Sequence, residues 1–385
     1  MNLQYIYTPG AGKMPRYLAG RDNQIDAAIS AFDALSDGEV PVCIAYSGYR
    51  GVGKTVLLNK LQADAEERGI TTYHLEVRED GRLIPRLLEH CRDFLNAYSS
   101  AEKLKNLFLK GSNALKSLEL GFSPDSGSFS LSAGKSKISH TMDYAQSMEN
   151  LFEAMGSLAK NRQQPVCFFI DEFQYAKLDE MDIFLGALHR LSQLSYPVIA
   201  IVCGTPEMIT KMYAKKTYVE RLFIFPDLMY LSNDEVEEAL NKPGEKVGLI
   251  FDNDAVKTIH DATCGYPYFV QVYGQILCKS LLNIDLPYTI SGSIAKEVYD
   301  SYIKYLDDNF YKIRVNDRSR SEQDLLFAMA NLPLPCTTND IAHLLKKTNK
   351  QIAPTIAKLK AKGIISTGSG IHFTVPGFTD YLKRR

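Results

Sequence analysis

Residues 48–55 read GYRGVGKT and match the spacing Gly-x-x-x-x-Gly-Lys-Ser/Thr. Glycines at these positions let backbone N–H groups turn inward around a phosphate, and the lysine adds a mobile positive charge. A hydroxyl directly after the lysine can ligate Mg²⁺. The octet therefore predicts a loop that binds a nucleotide phosphate. Its predicted binding residues are Gly48, Tyr49, Arg50, Gly51, Val52, Gly53, Lys54 and Thr55.

Two adjacent acids, Asp171 and Glu172, close the apolar run FFIDE. A carboxylate at the end of a buried strand can hold Mg²⁺ through water, so Asp171 and Thr55 are the predicted metal ligands. Glu172 can polarise an attacking water. A protein that only binds a nucleotide has no need of the second acid. The pair therefore favours hydrolysis, with ATP and Mg²⁺ as the cofactors.

Four apolar runs must position these residues, and helical stretches separate them. Continuous apolar strands that alternate with helices predict a parallel sheet covered on both faces, and hence an α/β fold. The runs are VPVCIAYS (40–47), TTYHLEV (71–77), PVCFFIDE (165–172) and YPVIAIVCGT (196–205).

Two stretches interrupt this alternation. Residues 116–134 alternate with period two on either side of a Pro/Asp/Gly turn, which predicts an inserted hairpin. After it, apolar residues recur at helical spacing and predict a helix that packs on the sheet. They are Met148, Leu151, Phe152 and Met155.

Beyond residue 230 the sequence patterns that predict strands become weaker. Ser232 and Glu235 form a capping-box pattern, and helical stretches follow at 253–263 and 267–281. The charged passage 311–320 reads as a linker. The residues after this passage are predicted to form a helix, a short turn, two further helices and two short strands. We predict a nucleotide-binding core over 1–230, a helical lid over 231–310 and a helix-turn-helix domain over 311–385.

Composition narrows the class of protein. The 385 residues are 45% hydrophobic and 23% charged, as in ordinary globular proteins, and the seven cysteines are widely spread, so neither a disulfide framework nor a zinc site is expected. No apolar run reaches the roughly 18–20 residues of a membrane span, and the first residues do not resemble a signal peptide. We expect a cytoplasmic protein without membrane association.

Charge is uneven along the chain. Residues 311–385 carry thirteen Lys/Arg against five Asp/Glu, although the whole chain has a net charge of −1. A basic tail on an acidic body indicates a polyanionic partner, with a solvated lysine-rich face as the alternative.

The motifs PRYLAGRD, GYRGVGKT, CFFIDEFQ, a strand ending in CGT, ERLF and GYPYF occur in the order seen in AAA+ ATPases. The chain is most similar to the branch that holds origin-recognition initiators, STAND-type signalling ATPases and many uncharacterised bacterial ATP-binding proteins. The resemblance covers nearly the whole chain. It implies a P-loop NTPase sheet, a helical lid subdomain and a C-terminal winged helix-turn-helix.

The resemblance also implies roles for single residues. Arg21, with Gly20 and Asp22, matches the N-terminal box near the adenine. Thr205 lies where the family places a polar sensor of the γ-phosphate; the alternative is a hydroxyl that caps the next turn. Arg221 lies where the family presents an arginine to the ATP of a neighbouring subunit, or is an ordinary surface cation. Arg50 has no assigned role and can contact a phosphate or a neighbouring acid.

One segment departs from the pattern. Most AAA+ motors place an arginine in the lid helix, but here no Arg or Lys follows Pro267 until Lys279. Gly265 and Pro267 instead resemble the G-x-P turn of STAND-type proteins, which packs by the nucleotide base. This favours slow hydrolysis, with ATP and ADP marking two states.

The basic tail has the length and apolar spacing of a winged helix-turn-helix. Its DNA-binding mode places the start of the second helix in the major groove, later lysines near phosphates and the wing near the minor groove. Winged helices also dock proteins, which is the alternative. The predicted contacts are Asn349, Lys350, Gln351, Thr355, Lys358, Lys360, Lys362 and His372.

Together these features predict a slow ATPase that forms a homo-oligomer in the ATP state and engages double-stranded DNA. The alternative is a nucleotide-gated signalling or defence sensor that binds a protein partner. A plain transcription factor has no need of the ATPase body.

Overall fold

The computed structural model describes residues 3–97, 105–120, 122–123, 128–129, 144–281, 285–368 and 370–385. The chain forms two compact units. The sheet unit comprises Asp22–Gly48 and Lys54–Leu228, and the helical unit comprises Met1–Arg21, Tyr49–Gly53 and Met229–Arg385. The middle of the GYRGVGKT loop therefore packs with the helical unit.

Five strands of the sheet unit form one parallel sheet in the order β2-β5-β6-β1-β7. The three central strands are buried along their whole length, which explains their unbroken apolar sequences. The strands of this unit are β1 (Cys43–Ser47), β2 (Thr71–Glu76), β3 (Phe122–Ser123), β4 (Ser128–Phe129), β5 (Val166–Asp171), β6 (Val198–Gly204) and β7 (Phe223–Ile224).

Helices cover the sheet, and their apolar residues face it. The four residues predicted at helical spacing, from Met148 to Met155, lie on α5 and are fully buried, so that prediction is confirmed. Phe152 packs edge-on against Phe168 and Phe184. The helices are α1 (Asp22–Ser36), α2 (Lys54–Glu67), α3 (Ile84–Ala97), α4 (Lys105–Leu120), α5 (Tyr144–Arg162), α6 (Leu178–Gln193), α7 (Glu207–Lys215) and α8 (Val219–Leu222).

The first five residues of the predicted hairpin at 116–134 are helical instead. Residues 116–120 belong to α4, on which Ala114, Leu115 and Leu118 are buried at helical spacing. β3 and β4 form an antiparallel pair. The predicted turn at 124–127 and residues 130–134 lie outside the described residues.

The helical unit contains the predicted capping box, in which the Ser232 hydroxyl accepts from the Glu235 N–H and the Glu235 carboxylate accepts from the Ser232 N–H. Helices occur close to both predicted ranges. The first elements of this unit after residue 229 are α9 (Asn233–Glu245), β8 (Leu249–Phe251), α10 (Asn253–Thr263), α11 (Pro267–Ser280), β9 (Tyr288–Ile290), α12 (Gly292–Glu297) and α13 (Tyr299–Leu306).

Residues 311–316 of the passage predicted to be a linker are helical. A π-helical turn, Asp307–Tyr311, joins α13 to α14 (Lys312–Asn316), and Tyr311 and Val315 are buried one turn apart. The tail then forms three helices, an antiparallel strand pair and a last helix. They are α15 (Arg320–Ala330), α16 (Thr338–Leu344), α17 (Asn349–Ala361), β10 (Ile365–Ser366), β11 (His372–Phe373) and α18 (Phe378–Arg384).

Within the described ranges, none of the helices combines the length and the apolar character that crossing a membrane requires.

Candidate nucleotide site

Three neighbouring strands bring the predicted phosphate-binding, metal-binding and catalytic residues to one edge of the sheet. β6 pairs in parallel with both β1 and β5, so the carboxyl ends of the three strands lie side by side. The loop leaves β1 at Gly48, the acids end β5, and Thr205 follows β6. The Gly48 N–H donates to the Gly204 carbonyl at 3.1 Å and ties the start of the loop to β6. Ligands of parallel α/β sheets bind at the carboxyl ends of the strands.

Lys54 and Thr55 open α2, at the end of the helix where backbone N–H groups favour an anion. Lys54 is only 5% exposed, and its ammonium donates to the Gly48 carbonyl at 2.9 Å. The Thr55 hydroxyl donates to Asp171 Oδ2 at 2.6 Å.

The residues fit the magnesium ion that the fold implies. Thr55 and Asp171 offer a hydroxyl and a carboxylate oxygen within hydrogen-bonding distance of each other, and both are hard ligands. Mg²⁺ in nucleotide sites takes one or two such protein ligands and completes its shell with water and phosphate oxygens. The structure therefore brings together the two predicted metal ligands.

Glu172 occupies an unusual backbone conformation, with φ 52° and ψ 37°, in the left-handed region. Its N–H donates to Asp171 Oδ1 at 2.8 Å. Its carboxylate accepts a hydrogen bond from the side-chain amide of Gln174. A left-handed non-glycine residue costs about 1–2 kcal/mol, and such strain persists where surrounding contacts impose it.

Thr205 follows β6, and its N–H donates to Gln174 Oε1 at 3.1 Å. α7 begins after Pro206, and no side chain caps it.

In the helical unit, Arg21 holds the middle of the phosphate loop. The guanidinium is buried and donates to the carbonyl oxygens of Val52 and Met229, both at 2.9 Å. Burial lowers the pKa of Arg21, and the negative charge of Glu235 opposes this shift.

The turn containing Gly265 and Pro267 also reaches the loop, through the residue between them. The Tyr266 hydroxyl donates to the Arg50 carbonyl at 2.6 Å. Gly265 has φ +67°, and the Leu231 N–H donates to its carbonyl at 2.8 Å, while Pro267 is the first residue of α11. A Cβ at Gly51 would overlap the Tyr266 hydroxyl, so this approach needs glycine.

The tail strands contact the loop as well. The Tyr49 hydroxyl donates to Ser366 Oγ at 3.1 Å and lies 3.5 Å from His372 Nε2. The side chain of Arg50 passes Gly363, where a Cβ would lie 3.4 Å from Arg50 Cδ.

The predicted DNA contacts fall into two groups. Lys362 pairs with Glu322 at 2.6 Å, and His372 lies beside Tyr49. The other predicted contacts lie on α17, where all are exposed except the half-buried Thr355 and Lys360: Asn349, Lys350, Gln351, Thr355, Lys358 and Lys360.

Arg221 is exposed on the short helix α8 of the sheet unit. His189 stacks on Tyr218 at a ring separation of 4.0 Å. Burial first, and then the positive charges of Arg221 and Lys216, lower the pKa of His189.

Sequence comparisons identify two domains. Residues 17–202 match the model of the AAA ATPase domain, and residues 308–382 match a domain of unknown function, DUF8462. No curated protein matches the chain.

Solved structures that resemble nearly the whole chain include the following two. The ORC1 protein of Aeropyrum pernix, solved in complex with DNA, is 14% identical over 99% of this chain and 96% of its own, with a TM-score of 0.51. A Walker-type ATPase of Pyrococcus abyssi is 14% identical over 98% of this chain and 99% of its own, with a TM-score of 0.52. At such identity the likeness concerns the fold.

Residues 17–202 thus carry an AAA ATPase domain, and the parallel sheet has the P-loop AAA+ fold that the sequence predicts. The C-terminal helices and strand pair are compatible with the predicted winged helix.

Two residues of the site have no counterpart in the predictions: Gln174 and Tyr266. Both lie inside the motifs CFFIDEFQ and GYPYF, next to residues whose charge or backbone geometry predicts a role in the site. Both side chains are uncharged, and their partners Thr205 and Arg50 are distant in sequence, so residue type alone gives no signal for these contacts.

Proposed function

We propose that this chain is an ATP-binding and slowly hydrolysing switch of the AAA+/STAND type. In its ATP state it assembles with further copies of itself, and it binds double-stranded DNA through residues 311–385. The observation that supports hydrolysis most directly is the contact of Thr55 with Asp171, with Glu172 as the next residue.

Each residue has a role that follows from its position. The N–H groups of the loop and the Lys54 ammonium bind the phosphates, and Thr55 and Asp171 would hold Mg²⁺, which would neutralise phosphate charge. Glu172 accepts a proton from the attacking water, and Thr205 contacts the γ-phosphate. Glu172→Gln should abolish hydrolysis and preserve ATP binding; unchanged turnover in this variant would refute the mechanism.

Assembly is proposed to complete the site through Arg221. An exposed guanidinium on a short helix is accessible to a second copy, and an arginine supplied in trans is worth about 10³–10⁵ in rate. A Lys54→Ala subunit still offers Arg221, and an Arg221→Ala subunit still binds ATP. Mixing the two should restore hydrolysis that neither has alone. As the control, mixing the Lys54→Ala/Arg221→Ala double variant with the Arg221→Ala variant should restore no hydrolysis.

DNA binding is proposed through the exposed basic face of α17. Each lysine–phosphate contact adds about one unit to the slope of log affinity against log salt. Lys350→Ala/Lys358→Ala should therefore lower this slope by about two units. The matched control, Lys257→Ala/Lys296→Ala, removes two exposed lysines elsewhere in the helical unit and should leave it unchanged. A flat slope in the unmodified protein would refute DNA binding.

A second function has one specific observation in its favour. His372 and Lys362 are occupied by contacts within the chain, with Tyr49 and Glu322 respectively. A nucleotide-gated adaptor that binds a protein through this tail is therefore the alternative. Particle size and hydrolysis rate, measured with ATP and with ADP in the presence and absence of duplex DNA, separate the two functions. DNA-stimulated hydrolysis supports the switch, and a nucleotide-dependent size change that ignores DNA supports the adaptor.

A further inference from the structure

Gln174 joins the two residues that are proposed to sense and to hydrolyse ATP. Its Nε2 donates to the Glu172 carboxylate, and its Oε1 accepts from the Thr205 N–H at 3.1 Å. The orientation of the amide follows from these partners, since a carboxylate only accepts and a backbone N–H only donates. A side chain that both donates and accepts is needed here.

The surroundings hold this amide in place. Gln174 is 8% exposed, and its backbone carbonyl accepts a hydrogen bond from the Lys211 ammonium. A Cβ at Gly204 would lie 2.8 Å from Gln174 Oε1, so the amide occupies space that only a glycine leaves open. The bridge therefore spans the ends of the neighbouring strands β5 and β6.

The geometry points to Gln174 as a positioning residue that orients the Glu172 carboxylate and couples it to the Thr205 segment. This inference rests on the proposed hydrolysis and deepens it. A shift of Thr205 on contact with the γ-phosphate moves Oε1, and the same rigid amide moves the donor that holds Glu172. The base is thus aligned with the water in response to the nucleotide, while the phosphates are bound by other residues.

Three variants test the role. Gln174→Leu removes both hydrogen bonds. Gln174→Glu keeps the acceptor for Thr205 but loses the donor to Glu172. Both should lower kcat about tenfold to a hundredfold, the loss expected when a reacting group is misplaced by about 1 Å, with the Kd for ATP unchanged. The matched control is Gln62→Glu, where a glutamine on α2 also donates to a carboxylate, that of Glu66, outside the site.

A pH profile distinguishes positioning from a general structural effect. A protonated carboxyl group has one donor and one acceptor, the same pattern as the amide. Two carboxyl groups in contact repel each other when both are ionised, which raises the pKa of the group introduced by Gln174→Glu, while the Lys211 ammonium at the backbone carbonyl of residue 174 opposes this rise. The kcat of Gln174→Glu relative to the unmodified protein should therefore rise as the pH falls from about 8 to about 5.5, whereas the ratio for Gln174→Leu should stay flat.

Wild-type kcat in Gln174→Leu, or a pH-independent ratio in Gln174→Glu, would overturn the inference. Loss of kcat in Glu172→Gln with normal kcat in Gln174→Leu would refute the positioning role and keep the proposed function. If the unmodified chain binds ATP without hydrolysing it, the proposed hydrolysis and the positioning role of Gln174 are both refuted.

Discussion

Tyr266, which directly precedes α11 in the helical unit, hydrogen-bonds the backbone of the predicted phosphate loop. Its hydroxyl donates to the Arg50 carbonyl, and its buried ring packs edge-on against Phe269 at a ring separation of 4.6 Å. Because the ring is fixed by packing, the hydroxyl holds the loop in one conformation. A loop that is already ordered loses less entropy when it binds a phosphate.

Tyr266→Phe should lower the free energy of unfolding by about 1 kcal/mol, because the hydrogen bond is lost while the ring remains. ATP and ADP should also bind a few-fold more weakly, since the loop is less ordered. Urea denaturation and nucleotide titration measure the two effects. Tyr7→Phe is the control: its buried hydroxyl donates to the Leu240 carbonyl at 2.6 Å, away from the loop. Equal nucleotide affinities in the two variants would contradict the role of Tyr266.

The turn between α10 and α11 depends on a single glycine. Gly265 combines φ +67° with a position where a Cβ would overlap the Leu231 carbonyl oxygen. Gly265→Ala should therefore cost more than the about 1–2 kcal/mol of a left-handed alanine. Gly363→Ala, with φ +64° and its nearest neighbour at 3.4 Å, should cost that strain alone. Thermal unfolding compares the two, and equal losses would show that the overlap relaxes freely.

An ion pair joins two helices of the tail. Lys362 at the end of α17 contacts Glu322 in α15 at 2.6 Å. Burial raises the pKa of Glu322, but hydrogen bonds from Lys362 and Ser319 outweigh it and lower the pKa to about 2. A carboxylate whose pKa is lower in the folded state stabilises the fold above its unfolded pKa, and this contribution is lost as the pH falls towards the folded value.

Glu322→Gln should therefore be less stable than the unmodified protein at neutral pH, and the difference should shrink between about pH 4.5 and pH 2. Thermal midpoints across this range measure it. Asp324→Asn removes an exposed i,i+4 pair with Arg320 on the same helix and should change stability by less than about 0.5 kcal/mol at any pH. A difference that stays constant with pH for Glu322→Gln would contradict the assignment.

Secondary-structure elements are predicted correctly from the sequence where a single local pattern of residues determines them. The buried strands β1, β5 and β6 and the Ser232 capping box follow from apolar runs and from residue spacing. The many charges of 311–320 predict a linker, although Tyr311 and Val315 within this passage are buried one helical turn apart, as in a packed helix. Contacts between distant segments, such as Tyr49 with His372, carry no local pattern and become visible only in the fold.

At the scale of the whole molecule, we expect the contacts of Tyr49 with Ser366 and His372 to couple nucleotide binding to the proposed DNA surface. His372 Nε2 lies 3.5 Å from the Tyr49 hydroxyl, and Nδ1 lies 3.3 Å from the Gly370 carbonyl, so a DNA contact made through Nε2 would compete with Tyr49. DNA binding through this nitrogen should therefore break the contact between His372 and Tyr49. Linkage requires that nucleotide then changes DNA affinity by the same factor by which DNA changes nucleotide affinity.

Tyr49→Phe removes the hydroxyl and keeps the ring, so it should bring this coupling factor close to one. It should also raise the DNA affinity of the nucleotide-free protein a few-fold, because no hydrogen bond has to be broken. DNA titrations without nucleotide, with ADP and with ATP measure the factor. Tyr5→Phe, an exposed tyrosine of the same unit, is the control and should retain the coupling of the unmodified protein. Unchanged coupling in Tyr49→Phe would mean that the signal passes by another route, because a contact that transmits it cannot lose its hydrogen bonds without effect.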